Sequence, residues 1–119
     1  MAAHNEFGRA GEQMAAEWLK QHGFQLICQN WKSGRFELDI VASRAEVLHF
    51  IEVKSRHGDL FGKPEDWVDR KKGNHILAAG EAFQNKFPEW KQVQYNIFSI
   101  LLAPDGKSDF FFIEDVYWW

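Results

Sequence analysis

Three features of the 119-residue sequence predict an α/β fold, a mixed central sheet flanked by helices. Residues 5 to about 22 repeat apolar groups at helical spacing. Segments between Phe24 and Ser55 alternate with the period of two that marks strands. A second helical stretch then precedes another apolar strand beyond Pro88. The resulting order is helix, three strands, helix, and one or two further strands. At this length the chain suits one domain spanning residues 1–119, because it can bury a single core but not two.

The first helix rests on a stripe of Phe7, Ala10, Met14, Ala15, Trp18 and Leu19. Asn5 can cap its N-terminus, and Gly23 can end it after His22. Phe24 to Trp31 reads as the first strand, and Lys32-Ser33-Gly34 as the turn into the second. In Phe36-Glu37-Leu38-Asp39-Ile40-Val41-Ala42, strict alternation would place Phe36, Leu38, Ile40 and Ala42 on one face and Glu37 and Asp39 on the other. In Leu48-His49-Phe50-Ile51-Glu52-Val53-Lys54, Glu52 and Lys54 share a face and Ile51 and Val53 take the opposite one. Two glycines and a proline make His57 to Pro64 a loop. A helix from Pro64 or Asp66 to about Phe87 would bury Trp67, Ile76, Leu77, Ala79 and Phe83. Gly73 and Gly80 weaken it by about 1 kcal/mol each relative to Ala, so it must break there or pack closely on the sheet. Val93 to Leu102 reads as a strand, Pro104-Asp105-Gly106 as a turn, and Phe110 to Ile113 as a last short strand before an aromatic tail.

Composition narrows the function classes. The formal charge of −3 argues against a generally basic nucleic-acid coat, so any polyanion has to meet a local basic patch, helped by bound metal. The lone Cys28 cannot form an internal disulfide, which favours a reducing compartment. The opening residues Met1 to Glu6 lack the basic and apolar regions of a signal peptide, and no apolar run approaches the roughly 20 residues a bilayer requires. The expectation is a cytoplasmic protein without a membrane partner. The five histidines, His4, His22, His49, His57 and His75, have no zinc-type spacing. His49 and Cys28 read as packed strand residues.

The chemistry concentrates on Asp39, Glu52 and Lys54. If the second and third strands form an antiparallel hairpin with Ser43 opposite Leu48, Asp39 falls opposite Glu52 and Glu37 opposite Lys54. Directly opposed Cβ atoms lie roughly 5 Å apart. Two carboxylates at that separation repel by about 3 kcal/mol at an effective dielectric of 20. A proton, a cationic side chain or a metal must offset this, and a hard cation such as Mg²⁺ binds through one or two carboxylates plus waters and substrate phosphate. Two acids with a nearby lysine therefore suit metal-assisted phosphodiester hydrolysis. Taken as spacing alone, the same pattern also describes a solvated strand face with a Glu–Lys ion pair.

In combination these residues resemble the restriction-endonuclease-like PD-(D/E)xK superfamily and, more closely, the small bacterial YraN-like family. The stretches that carry the resemblance are Asn5 to Glu12, Asn30-Trp31, Phe36 to Val41, Phe50 to Arg56, Phe61 to Pro64, and Lys71-Lys72. Together they run through roughly two-thirds of the chain. The resemblance implies an αβββαβ core, with Asp39 and Glu52 as ligands of Mg²⁺ or Mn²⁺, Lys54 orienting or activating the water, and Glu12 supporting the site from the first helix. Tyr95-Asn96-Ile97, where an Asp is expected in the later strand, and the aromatic C-terminus depart from the pattern. Neither departure touches the proposed catalytic set.

The functional expectation is a metal-dependent nuclease acting on DNA or RNA. The carbonyl of Val53 is a candidate third metal ligand. Arg56, Lys63, Arg70, Lys71 and Lys72 are candidates for a phosphate-facing patch, although Asp59, Glu65, Asp66 and Asp69 interleave with them as on a solvated helix face. Trp31 and Trp67 are candidates for stacking on bases or for ordinary packing. Trp118-Trp119 could cover a sheet edge or join a homodimer. Two rival readings stay open: a non-catalytic nucleic-acid or protein-binding module on the same scaffold, and a hydrolase of small nucleotides.

Overall fold

Apolar alternation and two amphipathic stretches produce, among the described residues, a five-stranded sheet with one helix on each face. A computed structural model of the chain describes residues 6–57, 70–102 and 105–116; side chains are described for these except 6–8, 56, 57, 70–72 and 102. The elements are α1 (Glu6–Gln21), β1 (Gln25–Ser33), β2 (Phe36–Arg44), β3 (Val47–His57), α2 (Arg70–Lys86), β4 (Val93–Leu102) and β5 (Ser108–Ile113). Strand order follows the chain, β1-β2-β3-β4-β5. Only β3 and β4, joined through α2, pair in parallel; the other three pairs are antiparallel. No helix among the described residues is long and apolar enough to cross a membrane.

Each face of the sheet packs its own apolar layer. Beneath α2 lie Leu38, Val41, Leu48, Phe50 and Ile97 with Ile76, Ala79 and Phe83 of the helix. Beneath α1 lie Ile40, Ala42, Ile51, Phe98 and Ile100 with Ala15, Ala16 and Leu19. Trp31 packs on this scaffold, its ring 5.1 Å from Phe83. Cys28 is half-buried and His49 buried, as the sequence suggests. The helix α2 runs through both of its glycines without a break, and at Gly80 it does so by close approach. A Cβ at Gly80 would meet Phe50 Cε2 and Tyr95 Cζ at 3.0 Å, so the missing side chain lets the helix sit on β3 and β4.

The β2–β3 turn is tight because Ala45 and Glu46 both adopt positive φ, 54° and 65°, as a two-residue type I′ hairpin requires. This turn fixes the register with Ser43 opposite Leu48, and the ladder runs as far as Ile40 opposite Ile51. There it stops. β2 remains paired with β1 through Ser33–Phe36, while β3 remains paired with β4 through His57–Leu102. The sheet thus forks: beyond Ile40 and Ile51, one prong is β1–β2 and the other β3–β4.

The strict alternation expected along β2 fails at this fork. Leu38 packs beneath α2, as does Phe36, yet Ile40 and Ala42 pack beneath α1 and Val41 beneath α2. The side-chain phase therefore slips by one at Leu38–Asp39, and Glu37 does not share a face with Asp39. The neighbouring strand slips at the matching place. Asn30, flanked by the pairs Gln29–Ile40 and Trp31–Leu38, has φ 55°, a left-handed conformation that Asn tolerates better than most residues. With the strands parted, Glu37 and Lys54 are not paired across the ladder either.

Candidate metal centre

The hairpin register carries Asp39 and Glu52 to the crotch of the fork. In a hairpin whose turn closes on Arg44–Val47, the hydrogen-bonded rungs are every second pair: Arg44–Val47, Ala42–His49, Ile40–Ile51. The next rung would join Leu38 to Val53. Instead, the Val53 N–H donates to Asp39 Oδ2 at 2.9 Å. The carboxylate has replaced the carbonyl of the neighbouring strand. Because the N–H and C=O of one strand residue point to the same side, the Val53 carbonyl also faces the gap.

Glu52 follows Leu48 and Phe50 on the α2 side of β3 and is only 5% exposed. Its carboxylate is close enough to raise the pKa of Asp39. Two acids brought together in this way have the unmet charge balance expected of opposed carboxylates. Asp39 is held well above the ordinary carboxylate range. Burial is the main cause, followed by the Glu52 charge; the Val53 N–H opposes the shift, while the hydrogen bond to Glu52 and the Glu12 charge add to it. A divalent cation would offset this charge, and the donor set of two carboxylates beside a backbone carbonyl fits a hard ion. Among the described residues no three His, Cys, Asp or Glu side chains are grouped as a metal cage. The candidate centre is thus a two-acid site.

Glu12 reaches the fork because Gly11 lets α1 lie directly on β3. A Cβ at Gly11 would meet Ser55 Cβ at 3.4 Å and Ile100 Cδ1 at 3.5 Å, and would collide with the Ser55 hydroxyl. The half-buried Lys54 lies in register with Ser99 on β4. The fold therefore brings together Asp39, Glu52 and Val53, with Lys54 next along β3 and Glu12 close enough to act on Asp39. Glu37, on the other face, is not among them. Lys63 lies outside the described residues, as do Trp67, Trp118 and Trp119. Arg56, Arg70, Lys71 and Lys72 are placed by backbone only, at the end of β3 and the start of α2.

Sequence reasoning missed two residues here. Asn30, across from Asp39, helps create the slip; only its short polar side chain inside a strand hinted at a left-handed residue. Ser99 is fully buried, and its hydroxyl has no hydrogen-bond partner among the described residues. A lone hydroxyl within the apolar run Ile97 to Leu102 was the available signal.

A cleft of 680 Å³ lined by Arg44, Glu46, Trp90 and Lys91 lies at the hairpin-turn end of the sheet, away from the acid pair. Its position separates it from this chemistry.

A forked mixed sheet with an acid pair at the crotch and Glu-x-Lys on the central strand defines a restriction-endonuclease-like α/β protein. The profile of Uncharacterised protein family UPF0102 matches residues 11–101. The chain belongs to this family, the YraN-like group its motifs resemble. A UPF0102 protein of Bacteroides thetaiotaomicron is 40% identical over 116 residues, covering 98% of this chain and 93% of that protein. One from Phocaeicola vulgatus matches to the same extent. One from Dictyoglomus thermophilum is 36% identical over 105 residues, 87% of this chain and 89% of its own.

Proposed function

We propose that this protein is a metal-dependent phosphodiesterase that cuts nucleic acid, with Asp39 and Glu52 as its metal-binding acids. The observation that supports this reading most directly is the juxtaposition of Asp39 and Glu52 at the fork, where the Val53 N–H fixes the Asp39 carboxylate and Lys54 lies two residues beyond Glu52. Asp39, Glu52 and the Val53 carbonyl would hold Mg²⁺ or Mn²⁺. When bound, such an ion polarises a scissile phosphate and acidifies a water.

The chain's own groups do the remaining work. The Val53 N–H holds Asp39 in one orientation, so the acid is organised before substrate arrives. Lys54, on the same strand face as Glu52, places an ammonium where negative charge develops on the phosphate and can hold the attacking water in line. Glu12 contributes negative potential from α1 and sharpens the demand for a cation. Arg56, Lys63, Arg70, Lys71 and Lys72 would meet backbone phosphates on the substrate.

The test is cleavage of a panel of single-stranded, duplex, flapped and branched DNA and RNA with Mg²⁺ or Mn²⁺, with metal titration by calorimetry alongside. Wild type should bind the ion and cut at least one substrate class. Asp39→Asn and Glu52→Gln should lose the heat of metal binding, and Lys54→Ala should lose cleavage. No cutting anywhere on the panel would refute the activity. Nucleic-acid binding indifferent to EDTA and to Asp39→Asn would instead mark a non-catalytic module.

A further inference from the structure

Beside the acid pair, α1 and β1 enclose a groove of 310 Å³ lined by Arg9, Glu12, Gln13, Ala16, Glu17, Lys20, Gln29 and Asn30. Asp39 and Glu52 are not among its lining residues, but two that are lie toward them. Glu12 is the acid whose charge reaches Asp39, and Asn30 is the residue across from Asp39 on β1. From there the groove follows α1 from Arg9 to Lys20, about 16 Å at 1.5 Å per residue.

The lining is unlike a phosphate cradle. Its formal charges cancel, Arg9 and Lys20 against Glu12 and Glu17, and Lys20 lies 3.6 Å from Glu17. Sequence-independent grip on a duplex needs an excess of cations. Three amides, Gln13, Gln29 and Asn30, supply donors and acceptors together, which is what the edge of an unpaired base requires. Buried Ala16 leaves space at the floor. The size agrees: 310 Å³ lies at the small end of ligand clefts, about 300–1,000 Å³. A double helix, whose major groove alone is about 12 Å wide, cannot enter.

We infer that the α1–β1 groove takes the unpaired bases of a single nucleic-acid strand and leads its backbone to Asp39 and Glu52, so that the substrate is single-stranded at the point of cutting. This rests on the nuclease reading of the acid pair, but it is tested by binding. Fluorescence anisotropy is measured with short fluorescein-labelled oligonucleotides in the Asp39→Asn background, which blocks cleavage. The single strand should bind at least about tenfold more tightly than the blunt duplex of the same sequence. The same margin should separate it from an abasic strand of equal length, the loss corresponding to one or two base hydrogen bonds. Adding Gln13→Ala and Gln29→Ala should weaken the single strand by about five- to twentyfold and leave the duplex unchanged.

Equal affinity for duplex, or equal affinity for the abasic strand, overturns the inference without any groove variant having to fold. A loss that falls on single strand and duplex alike also overturns it. The two readings fail separately. Metal-dependent cutting of duplex with no preference for single strands removes the groove assignment and keeps the nuclease. Base-dependent binding with no cutting removes the nuclease and keeps the groove.

Discussion

Asp39→Asn should make the metal-free protein more stable at neutral and higher pH, an unusual outcome for a mutated half-buried polar residue. In the wild type, Asp39 is pushed above its ordinary value of 3.8 by burial, by the Glu52 charge and by Glu12. The sign follows from linkage. A carboxyl whose folded value is raised favours the native state fully below its unfolded value, and that contribution is lost as pH rises through the folded value. The slope is at most about 1.4 kcal/mol per pH unit for one proton. The size is bounded by the repulsion, about 3 kcal/mol for carboxylates near 5 Å at an effective dielectric of 20. Asparagine keeps an oxygen for the Val53 N–H and offers an amide N–H to Glu52, so the geometry survives and the repulsion goes. With about 2.1 cal/mol/K of unfolding entropy per residue over 119 residues, 1 kcal/mol corresponds to roughly 4 °C in Tm. Thermal melts in EDTA should show the Asp39→Asn variant ahead by about 4–12 °C at roughly pH 8, with the gap closing as pH falls toward 3.8. In Mg²⁺ at about a hundred times its Kd, wild type should gain about 2.7 kcal/mol and the variant nothing. If the variant is the less stable protein in EDTA, or if the gap is the same at both ends of the pH range, the acid pair is not the strained, cation-seeking centre described above.

Other outcomes are equally specific. His49 is buried, bonded through Nδ1 to Asn96 Nδ2 at 2.8 Å, and held below its ordinary value by burial and by Arg44. Its contribution has the opposite sign to that of Asp39, being present above about pH 6.5 and lost on acidification, so Asn96→Ala should cost about 1–3 kcal/mol near neutrality by urea unfolding. Gly80→Ala should cost about 1–3 kcal/mol, because the added methyl meets Phe50 and Tyr95 at 3.0 Å; its Tm should drop accordingly. Lys71→Ala and Lys72→Ala should each lower the log–log salt dependence of nucleic-acid binding by about 0.9 if those side chains contact phosphates.

The fold was legible wherever local periodicity and burial agree. The α1 stripe, the hairpin register and the apolar β4 each follow from side-chain spacing, and the register followed from a turn that only two residues at positive φ can make. The acid pair was legible for the same reason: register alone brings positions 39 and 52 level. What could not be read was the slip at Leu38–Asp39. Alternation assumes a regular pleat, and the slip is a joint property of β1 and β2 that depends on Asn30 adopting a left-handed conformation. Hence alternation placed Glu37 on the face of Asp39, where the structure does not put it. The amide groove was equally hidden, because Gln13 and Gln29 belong to different elements and meet only when α1 crosses β1.

The replaced rung at Val53 has a consequence for how loss of Asp39 should be interpreted. β3 beyond Ile51 is a half-zipped strand, and the natural tendency of two such backbones is to close. Oδ2 of Asp39 occupies the amide that would start the closure, so the side chain proposed to gather the ion also wedges the strands apart. A residue at 39 that cannot accept a hydrogen bond frees that amide for the carbonyl of Leu38. The crevice then shuts, and an alanine there removes the room for substrate along with the ligand, whereas asparagine keeps the wedge and removes only the charge.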